Sequence, residues 1–191
     1  MMPECNAPIP DETLLDYWAR DLADGDETDR VEEHLFACGD CSARLRHVAS
    51  LGAGLAALVR LGRVTGIVSR SLLNRMQRDG VHVRLYSLVP GDTMPCSVFP
   101  GDDLVAAGLR ADFSAVDAVT LKVTGPGDSP MGDFDDVPVS GLEGEVFWVL
   151  PAAVVRQMPS MRMELTLVSA GGTRAELGTY VLEHSAPTPP A

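Results

Sequence analysis

The stretch Val31-Glu32-Glu33-His34-Leu35-Phe36-Ala37-Cys38-Gly39-Asp40-Cys41 sets His-x3-Cys-x2-Cys within eight residues. His34 and Cys38 are four apart, so on a helix they project from one face. Gly39 permits a turn after Cys38, and Cys41 can fold back beside it at the start of the next helix. Three soft or borderline donors then converge on one point, as a tetrahedral zinc requires. Besides His47, Cys5 is the only other Cys or His in the first 80 residues, and it is assigned as the fourth donor by elimination. A Cys3His shell is a structural zinc with no open position for catalysis. The rival reading of Cys38 and Cys41, a thioredoxin-like redox pair, needs a βαβ setting that the surrounding sequence lacks. His47 reads as a helix-surface histidine.

Working outward, the flanking pattern is helical. Pro10-Asp11-Glu12 opens a short amphipathic segment through Leu14, Leu15, Trp18 and Leu22, closed by Ala23-Asp24-Gly25. Acidic residues after Asp26 complement the positive end of a second helix running to Ala37. Residues 42–61 carry Leu45, Val48, Leu51, Leu55, Leu58 and Val59 at helical spacing, although Gly52, Gly54 and Gly62 argue against one unbroken rod. Ile67, Leu72, Leu73 and Met76 predict a fourth helix, stopped by Asp79-Gly80.

After Gly80 the punctuation turns strand-like. Val81, Val83 and Leu85 alternate with polar residues, and further strands are expected over 95–99, 104–111, 118–125, 145–150, 161–170 and 174–184. Pro100-Gly101-Asp102, Gly125-Pro126-Gly127-Asp128 and Gly171-Gly172 supply turns, and residues 151–158 a short helical insert. The expected fold is therefore α+β. A small helical bundle with structural zinc occupies residues 1–80, an antiparallel β-sandwich residues 81–186, and a disordered tail residues 187–191. Cys96 reads as a small buried hydrophobe, and His82 and His184 as isolated strand histidines with no pairing that implies a metal.

Composition narrows the function. The 191 residues are 46% apolar and 22% charged, ordinary for a folded domain. No apolar run approaches the roughly 20 residues that cross a bilayer, and no leader pattern opens the chain, so a cytoplasmic protein without membrane contact is expected. The net charge of −12 disfavours direct nucleic-acid binding. It is unevenly spread: −9 over residues 1–45, +5 over 46–80 and −8 over 81–191. The basic block predicts either a solvated helix face or a partner contact. No Ser/His/Asp arrangement or phosphate-cradling glycine loop emerges, and Asp102-Asp103 and Asp135-Asp136 read as solvated turn carboxylates, so no enzyme is expected.

Glu12–Leu45, with its acidic loop, the Val31-Glu32-x-His34-Leu35-x-x-Cys38-x-x-Cys41 core and a trailing helix, resembles the zinc-associated anti-sigma-factor domain family, within the first third of the chain. That resemblance implies a helical bundle that clamps an extracytoplasmic-function sigma factor and thereby regulates transcription. His34, Cys38 and Cys41 match the family's zinc ligands directly. The family's fourth ligand lies about 24 to 26 residues before the His. Here Pro8 stands at that place, and 28 residues separate Cys5 from His34. Either a longer leading loop brings Cys5 to the metal, or the site has fewer ligands. Oxidation of Cys38 with Cys41, or of Cys5 with either, would release metal and partner. The alternative is a zinc-containing adaptor whose β-sandwich binds another protein or a small ligand.

Overall fold

The computed structural model describes residues 5, 7–22, 25–139, 144–170 and 175–186. The expected Ala23-Asp24 helix end, the Gly171-Gly172 turn and the 187–191 tail lie outside the described residues.

Helix α1 spans Asp11–Ala19, with Pro10 at its N-cap and Asp11 and Glu12 in its first turn. It ends earlier than the apolar pattern predicts, because Arg20 adopts a left-handed conformation (φ 59°) and returns its N–H to the last turn. Helix α2 spans Gly25–Ala37 and α3 spans Gly39–Arg60. α3 runs straight through Gly52 and Gly54, contrary to the expected interruption. At Gly52 the reason is close packing, since a Cβ there would overlap the Trp18 indole of α1. A Cβ at Gly54 would meet nothing within 4 Å.

Next comes strand β1, Gly66–Val68, and then helix α4, Arg70–Arg78. Ile67 therefore lies in a strand and not in the fourth helix. The helix is started by Ser69, whose hydroxyl accepts the Leu72 N–H at 3.3 Å. The remaining strands are β2 (Val83–Leu88), β3 (Thr93–Cys96), β4 (Leu104–Arg110), β5 (Ala118–Thr124), β6 (Pro130–Pro138), β7 (Glu145–Pro151), β8 (Met161–Ala170) and β9 (Glu176–His184). Helix α5, Ala152–Val155, fills the expected helical insert. Asp135-Asp136, expected on a turn, lie within β6. It is an edge strand, where Asp133, Asp135 and Asp136 keep one side in solvent.

Two sheets result, in the orders β1-β7-β4-β2 and β3-β9-β8-β5-β6. They enclose a core that includes Leu109, Trp148, Leu121, Leu165 and Tyr180. The expected sandwich is thus present, but it is mixed and not wholly antiparallel: β2 pairs with β4, and β3 with β9, in parallel. The reason is a crossover. After β2 the chain passes to β3 in the opposite sheet before returning as β4, so β4 runs in the same direction as β2.

A second apolar layer covers the outer face of the four-stranded sheet. Val59 of α3 and Leu73 and Met76 of α4 pack on Leu104, Ala106, Phe147 and Val149. β4 and β7 are consequently buried on both faces, which is why they read as continuous apolar runs and not as alternating ones. No described helix is long and apolar enough to cross a membrane.

The contrast between the two α3 glycines gives a paired expectation. Gly52→Ala should cost about 1–3 kcal/mol by forcing Trp18 off the helix. Gly54→Ala should stabilise by about 0.5–1 kcal/mol through helix propensity. Urea unfolding of the two variants reads both signs.

Candidate metal centre

Each donor is placed by a distinct local device. His34 sits in the last turn of α2, and its carbonyl accepts the Cys38 N–H at 2.8 Å. Cys38 leaves the helix in an extended conformation and is itself the N-cap of α3, its sulfur accepting the Cys41 N–H at 3.5 Å. The turn predicted at Gly39 is therefore made at Cys38, and Gly39 opens the next helix. Ser42 locks the corner by donating its hydroxyl to the Leu35 carbonyl at 2.6 Å. Cys41, in the first turn of α3, is fully buried.

The leading segment brings Cys5 to the same point. Cys5 Sγ lies 3.5 Å from His34 Nε2 and 3.9 Å from Cys41 Sγ. One ligand atom from each of Cys5, His34, Cys38 and Cys41 falls within 4.8 Å of all the others. Tetrahedral zinc, with bonds of about 2.3 Å to sulfur and 2.0–2.1 Å to nitrogen, places two sulfurs about 3.8 Å apart and a sulfur and a nitrogen about 3.6 Å apart. The spacing and chemistry of this donor set fit a single structural zinc ion. The longer leading loop is the option that the fold adopts.

The cluster also differentiates its thiols. The Cys41 backbone N–H, with burial opposing it, draws the Cys38 thiol down to about 7. A hydrogen bond with Cys38, together with burial, pushes Cys5 up to about 11. Around the donors the apolar support is slight: Ile9, Leu14 and Val31 are buried, with Tyr17, Leu22, Leu35 and Leu45 partly so. Tyr17 donates to Glu32 at 3.2 Å, and Arg44 pairs with Asp11, tying α1 to α2 and to α3.

The other sequence-level candidates fall elsewhere. His47 is exposed on α3, as expected. His82 is exposed too, with its ring 3.4 Å from Asp103. The basic block meets neither of its two expectations in full, because three of its arginines are spent inside the molecule. Arg75 donates to the Trp18 carbonyl at 2.8 Å and stacks on the Trp18 ring at 4.8 Å. Arg78 donates to the Ala19 carbonyl, so both side chains cap the negative end of α1. Arg70 pairs with the buried Glu145 of β7 and stacks on Phe147. α4 thereby grips the zinc module with one set of side chains and the sandwich with another. Local sequence carried no sign of these pairings, whose members lie 57 to 75 positions apart.

Several large apolar side chains of α2 and α3 face outward. Phe36 is 92% exposed, Leu51 61% and Leu58 45%. Leu51, Leu55 and Leu58 form an i, i+4, i+7 stripe on α3, with Leu55 half-buried.

Compared with known proteins, the chain matches no family model and no curated protein.

Replacing Cys5 by Ser should lower zinc affinity by at least about two orders of magnitude, read by competition with a chromophoric chelator. Unchanged affinity would place Cys5 outside the shell.

Proposed function

We propose that this protein is a zinc-containing interaction adaptor that holds a protein partner against its helical module. The observation that carries this reading is the Leu51, Leu55, Leu58 stripe, an apolar face on α3, the helix that starts at the four-donor cluster. An apolar helix face of this kind suits a partner helix laid along it. The acidic N-terminal segment favours a partner with a basic surface, by charge complementarity that speeds encounter.

Within this reading, the partner class that the family resemblance implies is a bacterial extracytoplasmic-function sigma factor. The protein is then a cytoplasmic anti-sigma factor that regulates transcription by sequestration. A sigma factor meets both requirements, since its DNA-facing surfaces are basic and its segments are helical. DNA contact belongs to the partner, and the adaptor touches neither nucleic acid nor membrane and catalyses no reaction of its own. Peroxide-type oxidants supply a release route: two thiolate donors of the cluster give two electrons to the peroxide, whose O–O bond breaks as it takes two protons from solvent, and the two sulfurs close a disulfide and are lost as donors.

The second reading places the partner or ligand on the sandwich, where Leu85, Val89 and Phe99 are exposed. Point substitutions in the full chain separate the two, whereas cutting at residue 80 would strip α4 and β1 from the sheet that they cover and extend. With an extracytoplasmic-function sigma factor as the titrant, Leu51→Asp with Leu58→Asp should weaken binding at least about 100-fold and leave zinc content unchanged. Phe99→Asp should leave binding intact. The reverse pattern would move the site to the sandwich, and no binding by the unmodified zinc-loaded protein would remove the sigma-factor assignment.

A further inference from the structure

The sequence treats Cys96 and His184 as unrelated residues, but the parallel pairing of β3 with β9 sets them directly opposite each other. On the other side of His184, the antiparallel β8 places Met161 at the same level. Cys96, His184 and Met161 therefore form one rung across three adjacent strands. Alternation along each strand puts all three on the inner face of the sandwich, in line with the buried Leu182 and Met163 one rung further in. Cys96 is 2% exposed and His184 3%. Neither ring nitrogen of His184 has a hydrogen-bond partner. A buried imidazole with both nitrogens unanswered is a costly feature unless something bonds to it.

The surroundings are rich in sulfur. Four of the chain's eight methionines, Met94, Met158, Met161 and Met163, pack in this one core. Cys96 and Met163 also line a small, mainly apolar cavity of about 10 Å³, which His184 and Met161 do not reach.

We propose that Cys96, His184 and Met161 form a second metal site, separate from the Cys3His cluster, that takes copper(I). The donor set is a thiol, an imidazole and a thioether, the soft combination that selects a soft monovalent ion over zinc or a hard cation. Charge makes the same choice. One thiolate with two neutral donors balances a +1 ion, leaving a neutral assembly in an apolar interior, while a divalent ion would leave an unpaired buried charge. Binding is coordination without electron transfer: the copper stays monovalent, and the Cys96 thiol proton leaves to solvent. A single bridging water would answer His184 but would give no role to the sulfur atoms on either side.

The test uses the full-length, zinc-loaded protein equilibrated with copper(I) buffered by bicinchoninate, with both metals counted after desalting. The wild type should retain about one copper beside its zinc. Cys96→Ala and His184→Gln should lose the copper and keep the zinc. Met161→Leu preserves volume, so it should fold normally and weaken copper binding at least about tenfold. The near-UV signal of Trp148 checks packing of the sandwich, and if the first two variants misfold, Met161→Leu decides. Copper uptake only in exchange for zinc, equal uptake by wild type and Met161→Leu, or no uptake by the wild type would each overturn the site.

Discussion

The leading segment and two helices, α2 and α3, meet at four donor atoms that lie within 4.8 Å of one another. Among the described residues, the apolar core around that point has only Ile9, Leu14, Val31 and Cys41 buried. A module so thin in buried hydrocarbon is held chiefly by its metal, and structural zinc in small peptides supplies on the order of 10–16 kcal/mol at neutral pH. The donors come from the leading segment, the end of α2 and the start of α3. One ion at this point joins the leading segment to the corner between α2 and α3.

The module does not stand apart from the sandwich. α4 is shared: Leu73 and Met76 lie on the outer face of the four-stranded sheet, Arg70 reaches the buried Glu145, and Arg75 and Arg78 cap α1. β1 adds an edge strand to the same sheet through its pairing with β7. Breaking either half of this arrangement removes a cover from β4 and β7, whose outer faces are as apolar as their inner ones. A change of shape in the zinc module therefore has a direct mechanical route to the sheet through α4.

The sequence was most legible where the chemistry is local. His34, Cys38 and Cys41 lie within one helical turn and one corner, so spacing alone brought them together, whereas Cys5 could be reached only by elimination. The strands that alternate or run continuously apolar were visible for the same reason. What escaped was set by distant partners. Ile67 became a strand residue because β7 was there to pair with it, and β6 hid its strand character behind acidic side chains that an edge tolerates. The arginines of α4 looked like a basic surface until α1 and Glu145 answered them. The parallel pairs β2/β4 and β3/β9 depend on a crossover between sheets, which no local pattern encodes, and the second of these joined Cys96 to His184.

X-ray absorption at the zinc edge of the purified full-length protein addresses the central constraint most directly. The account requires one zinc per chain with three sulfurs at about 2.3 Å and one imidazole nitrogen at about 2.0–2.1 Å. A shell with two sulfurs, or one completed by oxygen, would contradict it, because Cys5 would then not join the leading segment to α2 and α3.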